Sequence, residues 1–124
     1  MAAILIVEDD GLIARQTARV VRQTGHRPIL AHDGCAGLKE ARNRPDLILL
    51  DLGLPDLSGE EVIRRLRMQP RTAQIPVVVI TGKREAAARL RESEMEFADI
   101  LLKPVSDARL RQAVAGALKP RAPR

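Results

Sequence analysis

The chain has 124 residues, 45% of them apolar and 30% charged, which suits one domain with a buried core rather than a disordered segment. No apolar run approaches the ~20 residues of a membrane span, and the opening "MAAILIVEDD" has neither the basic start nor the cleavage site of a signal peptide. The net charge of +5 does not point to nucleic acid: without Lys119, Arg121 and Arg124 of the tail it falls to +2, and one Phe with no Trp or Tyr gives bases nothing to stack on.

In chain order, Ala3–Val7 reads as a strand that runs into Glu8, Asp9 and Asp10. A helix over Gly11–Thr24 follows, with Asp10 as its N-terminal cap, Gly25 at its end, and Arg15, Arg19 and Arg22 on a solvated face opposite Ile13, Thr17 and Val20. Pro28–His32 is the second strand and Cys35–Asn43 the second helix. The third strand, Asp46–Leu50, carries the unbroken apolar run Leu47–Leu50, the composition of a strand covered on both faces. It ends on Asp51, a charge that is costly there unless something compensates it. Ser58 and Glu61 form a capping-box pattern for a helix over Gly59–Gln69, and Pro70 stops it.

Pro76–Thr81 is the fourth strand. The helix after it, Arg84–Met95, is weakly amphipathic, with Ala86, Ala87, Ala88 and Leu90 as its main apolar residues, so little burial is expected to hold it. Asp99–Leu102 is the fifth strand and leads into Lys103 and Pro104. Ser106 caps a last helix over Asp107–Leu118, whose small outer face of Ala108, Gln112 and Ala115 is a candidate homodimer contact. Residues 1–118 are read as the domain and 119–124 as a basic, Pro-containing tail or the start of a linker.

Five strand–helix units in regular alternation imply an α/β fold: a doubly wound, five-stranded parallel sheet of order 2-1-3-4-5 with right-handed crossovers. Ligands of such sheets bind at the carboxyl ends of the strands. There the sequence places Glu8 and Asp9, then Asp51, then Thr81, then Lys103. Clustered carboxylates with room for water suit Mg²⁺, and an Asp beside such an ion is a nucleophile for a phosphoryl group. Phosphoryl transfer needs positive charge and donors on the equatorial oxygens, which Mg²⁺, the Lys103 ammonium and the Thr81 hydroxyl would supply.

At "ILIVEDD", "DLILLDLGLPDLSGEEVIRRLR", "IPVVVITG" and "ADILLKPV" the chain resembles the receiver domain of two-component response regulators, a flavodoxin-like (βα)5 fold. The resemblance implies that Asp51 is the phosphoacceptor, that Asp9 is a direct Mg²⁺ ligand with Glu8 acting largely through water, and that the Gly53 backbone carbonyl completes the metal shell. It also implies that Thr81 and Lys103 bind the phosphoryl group and that the peptide before Pro104 is cis. The implied partners are a histidine kinase or histidine phosphotransfer protein and a downstream effector or output domain, reached through the surface of the fourth helix, fifth strand and fifth helix. Such a domain promotes only its own phosphotransfer and dephosphorylation and is not an enzyme in the ordinary sense.

Departures from the family pattern stand out. Ile100 occupies the position of a mobile Tyr or Phe, and Gly53 and Lys83 occupy positions that tune phosphoryl lifetime in the family. Phe97 is expected to pack under the fourth helix, Gly59 to serve close packing, and His26 and His32 to be structural or surface residues. Cys35 is expected to be buried or half-buried, and as a lone thiol it favours a cytoplasmic protein without disulfides. Three readings stay open: a stand-alone receiver, the receiver part of a DNA-binding transcription factor or hybrid kinase, and a receiver-like interaction module that does not switch.

Overall fold

The computed structural model describes residues 1–119, so residues 120–124 of the tail lie outside the described residues. Strands β1 (Ala3–Val7), β2 (Arg27–Ala31), β3 (Leu47–Leu50), β4 (Val77–Thr81) and β5 (Asp99–Leu102) alternate with helices α1 (Gly11–Gln23), α2 (Gly34–Ala41), α3 (Gly59–Met68), α4 (Arg84–Glu92) and α5 (Asp107–Leu118). All strand pairs are parallel and the sheet order is β2-β1-β3-β4-β5, as the alternation requires.

The period-two alternation of strand side chains divides the core into two layers. Ile48 and Leu50 of β3 join Val77 and Val79 of β4 on the face covered by α2, α3 and α4. Leu47, Leu49 and Val78 point the other way, against Ala18 and Val21 of α1 and Leu110, Ala113 and Val114 of α5. Every residue of β3 is buried, which explains its unbroken apolar run. Full burial of each such side chain contributes roughly 1.5–3 kcal/mol.

Local signals set the helix ends. Asp10 accepts the N–H groups of Leu12 and Ile13, Ser58 that of Glu61, and Ser106 that of Arg109. Gly25 takes φ +86° just past α1, a conformation that costs glycine little. The Glu61 carboxylate does not complete the capping box but pairs with Arg64 and Arg65 along its own helix. Helix α4 ends at Glu92, short of the expected Met95, because the Ser93 hydroxyl bonds the Leu90 carbonyl and then accepts the Met95 N–H.

Helix α4 is the weakest element. Its N-cap, Lys83, makes no side-chain capping bond, and only Ala87 and Leu90 are buried along it. Helix α1, by contrast, buries four residues and has a capped start. Amide exchange is expected to run at least about tenfold faster around Ala87–Leu90 than around Ala18–Val21. Equal protection of the two helices, measured by NMR or mass spectrometry, would contradict this reading.

Candidate functional site

The strand register assembles the site. Val7 of β1 lies opposite Leu50 of β3, so the next residues, Glu8 and Asp51, emerge side by side. Leu50 also pairs with Val79, two residues before Thr81, and Thr81 pairs with Leu102, the residue before Lys103. The four groups therefore meet at the carboxyl ends of the central strands. Lys103 Nζ donates to Glu8 Oε1 at 2.5 Å and to Asp51 Oδ2 at 3.1 Å, placing one ammonium between two carboxylates. The side chains of Glu8 and Asp51 are only 7% and 10% exposed, so that ammonium does for them what water does elsewhere.

Each neighbour leaves a mark on the ionisation. Burial pushes the Glu8 carboxyl above its usual value, and the Lys103 hydrogen bond offsets this only in part. Burial also acts on Asp51, but the Gly53 N–H, the Lys103 ammonium and the Thr81 hydroxyl outweigh it and hold its carboxyl below the ordinary range. Burial works against the Lys103 charge as well, yet its two carboxylate partners win and its pKa is raised. Environment thus shifts two adjacent acids in opposite directions, Glu8 up and Asp51 down.

Asp9 stands exposed at the edge of this pair, and oxygens of Glu8, Asp9 and Asp51 lie within 4.8 Å of one another. This donor set, all oxygen and open on one side, fits a hard cation such as Mg²⁺. The Gly53 N–H reaches Asp51 Oδ1 at 3.1 Å. A side chain at Gly53 would meet Lys83 Cε at 2.9 Å, so the glycine leaves room for the Lys83 chain to lie across the loop. Thr81 is fully buried, and its hydroxyl also accepts the Lys83 N–H at 3.1 Å. The Lys103–Pro104 peptide is cis. Gly59 packs as expected: an added Cβ would lie 2.6 Å from Leu52 Cα and 2.9 Å from the Asp51 carbonyl oxygen.

Ile100 stands apart from the acids, buried in the layer under α4 with Val79, Ala87 and Leu90, and Phe97 packs on the same layer. Asp10 serves as a cap. His26 Nδ1 accepts the Ala2 N–H, and His32 Nδ1 lies 3.4 Å from the Glu8 carbonyl oxygen. Cys35 corrects its expectation: it is exposed, because α2 turns Gly34, Gly37 and Ala41 to the core and this position outward. Sequence reasoning passed over two residues altogether. Asp56 reaches across to the start of α2, and the Arg67 guanidinium gathers the carbonyls of Ala73, Ile75 and Glu96. Their partners lie up to 29 residues away, and no local pattern signals them.

The family model of the response regulator receiver domain matches residues 4–115. The chain belongs to this family. It is 38% identical over 116 residues to the transcriptional regulatory protein AfsQ1 of Streptomyces coelicolor, covering 90% of this chain and 50% of that protein. It is 30% identical to protein PilH of Pseudomonas aeruginosa, covering 95% of this chain and 98% of PilH. Among solved structures, the receiver domain of the P. aeruginosa sensor histidine kinase PA1611, with a magnesium ion coordinated in its active-site cleft, superposes with a TM-score of 0.84 at 29% identity, over 94% of this chain and 97% of that one. The chain spans about half the length of the first of these relatives. As a receiver domain it carries the acidic pocket of Glu8, Asp9 and Asp51 where the fold places its site.

Two predictions follow from the geometry of this receiver. Because the folded-state pKa of Lys103 is raised, its contribution to stability is complete below the ordinary lysine value of 10.5 and is lost as pH rises through the raised one. Lys103→Met should therefore destabilise the fold near pH 7 by about 1–3 kcal/mol. It should recover part of that deficit near pH 5, as Glu8, already raised by burial, takes up a proton. Urea unfolding of both proteins at the two pH values measures this, and an equal deficit at both would contradict it. Gly59→Ala should cost about 1–3 kcal/mol in the same assay, because its methyl group meets backbone that cannot give way; a neutral effect would refute the tight approach.

Proposed function

We propose that the domain is a phosphorylation-controlled switch that accepts a phosphoryl group on Asp51 from a histidine kinase or a histidine phosphotransfer protein. The observation that carries this reading is geometric: Lys103 Nζ bridges Glu8 Oε1 and Asp51 Oδ2, the Gly53 N–H reaches Asp51 Oδ1 at 3.1 Å, and oxygens of Glu8, Asp9 and Asp51 gather within 4.8 Å of one another at the sheet rim. An ionised carboxylate is the form that attacks phosphorus.

In the proposed transfer, an Asp51 oxygen bonds to phosphorus as the phosphorus–nitrogen bond of the donor histidine breaks. The electron pair stays on the imidazole, which takes up a proton from solvent. Glu8, Asp9 and Asp51, with the Gly53 carbonyl, would hold Mg²⁺, which supplies positive charge to the phosphoryl oxygens when bound. Lys103 is released from Asp51 as that carboxylate becomes an acyl phosphate and turns to the phosphoryl group, to which the Thr81 hydroxyl also donates. The domain promotes only these steps on itself.

The added charge of about −1.5 to −2 then biases Thr81 and the face formed by α4, β5 and α5 toward an effector or output domain. Ile100 lies buried on that face and replaces the ring that reports phosphorylation in related domains, so the readout here runs through Thr81 and the weakly held α4. The free, exposed thiol of Cys35 fits the reducing cytoplasm. A second reading, the receiver part of a longer DNA-binding regulator, is favoured by the match to half of AfsQ1. PilH, matched over nearly its whole length, favours the stand-alone form.

Incubation with Mg²⁺ and acetyl phosphate, followed by intact mass measurement, should show a single phosphoryl adduct that is absent from Asp51→Asn and from Mg²⁺-free samples. No adduct at any donor concentration, or an undiminished adduct in Asp51→Asn, would overturn the proposal.

A further inference from the structure

The loop from Leu52 to Ser58 carries Gly53, yet little within the loop fixes its path. One end is pinned where the Gly59 N–H meets the Leu52 carbonyl at 3.1 Å. The middle is tied to another element by Asp56. Its Oδ1 accepts the Gly34 N–H at 2.7 Å and the Leu57 N–H at 2.8 Å, and its Oδ2 accepts the Cys35 N–H at 2.8 Å. These bonds span 22 and 21 residues of sequence and bind the loop to the first turn of α2.

Helix α2 does not depend on Asp56 for a cap, because its own Asp33 accepts the Ala36 N–H at 2.7 Å. Asp56 engages the two N–H groups that Asp33 leaves, one with each oxygen, at the positive end of the helix. Both sides are shaped for the approach: a Cβ at Gly34 would lie 2.9 Å from Leu57 Cβ and 3.1 Å from Asp56 Oδ1. The Cys35 N–H and thiol, with the Gly34 and Leu57 N–H groups, hold the Asp56 carboxyl far below the usual carboxylate range, so it stays charged at any physiological pH.

We propose that Asp56 is a positioning residue for phosphotransfer, stapling the loop after Asp51 to α2 and so fixing Gly53, whose N–H orients Asp51 and whose carbonyl would complete the Mg²⁺ shell. The role of that carbonyl and of Asp51 rests on the function proposed above. By reciprocity, metal binding at the rim tightens the start of α2, and loosening α2 at this one contact weakens the metal. Loss of a partner that bonds a metal ligand directly weakens metal binding by roughly 10–100-fold; Asp56 acts one step further out, through the loop, so the low end of that range is expected.

The test compares Asp56→Ala, Asp56→Asn and Asp33→Ala with the wild-type protein. Asp33→Ala removes the local cap of the same helix and leaves the staple in place, so it reports what weakening α2 does by itself. The first measurement is Mg²⁺ binding without a phosphodonor, followed by the Gly53 and Asp51 amide shifts. The second is the Mg²⁺ dependence of labelling by acetyl phosphate. The third is the alkylation rate of Cys35, the one thiol in the chain, with and without Mg²⁺.

Asp56→Ala should raise half-saturating Mg²⁺ about tenfold while the labelling rate at saturating Mg²⁺ stays within about twofold of wild type. Asp56→Asn, which keeps one acceptor oxygen, should fall between. Asp33→Ala should lower the unfolding midpoint without moving the Mg²⁺ requirement. Mg²⁺ should slow Cys35 alkylation in wild type and not in Asp56→Ala. An unchanged Mg²⁺ requirement in Asp56→Ala, or an equal shift in Asp33→Ala, overturns the staple. A wild-type protein that binds Mg²⁺ but takes no phosphoryl group defeats the acceptor reading alone, and the metal titration still decides the staple. A wild-type protein that binds no Mg²⁺ defeats both.

Discussion

One ammonium ion between two buried carboxylates is the interaction on which the rest of this receiver depends. Glu8 and Asp51 emerge from adjacent strands because the register of β1 on β3 leaves no other place for them. Two anions so close would repel, and burial would add to the cost. Lys103, from the far side of the sheet, bonds both. It does so without quenching the chemistry: Asp51 keeps its charge, Glu8 is raised, and Asp9 remains open to solvent beside them. The same arrangement that makes the acids tolerable leaves Asp51, though largely buried, at the rim beside the solvent-open Asp9.

The scaffold divides its work accordingly. The central strands, buried on both faces, set the positions of the reactive groups with the rigidity of a packed sheet. The tight approach of Gly59 to the backbone of Asp51 and Leu52, and the reach of Asp56 to α2, tie down the loop that follows Asp51. Helix α4 has two buried residues and no capping side chain, so it is the element easiest to displace. A rigid site next to a weakly held surface is what a domain needs if a small chemical change at the rim is to alter what it presents to a partner.

Most of this was legible in the sequence because it is local or periodic. Apolar runs of three to five residues marked all five strands, and Ser58, Ser106, Asp10 and Gly25 marked helix ends. The sheet order then brought Glu8, Asp9, Asp51, Thr81 and Lys103 together. What escaped the sequence is contact between distant segments. Nothing in "LPDLSG" shows that Asp56 bonds the N–H groups of residues 34 and 35, or that Arg67 collects carbonyls from two other loops. Cys35 differs from its expectation for a related reason: a single position of helix phase separates a buried from an exposed residue, and here α2 turns Gly34, Gly37 and Ala41 to the core. Likewise the Lys83 chain lying over Gly53 is visible only once the two loops face each other.

Asp51, and no other carboxylate of the rim, is the proposed nucleophile. An acyl phosphate is reduced by borohydride to an alcohol, so treating the phosphorylated protein with borohydride converts the modified aspartate into homoserine, which peptide mass spectrometry locates. Homoserine is expected at position 51 alone, dependent on Mg²⁺ and on the phosphodonor. Homoserine at position 9, or reduction of Glu8 in place of Asp51, would contradict it.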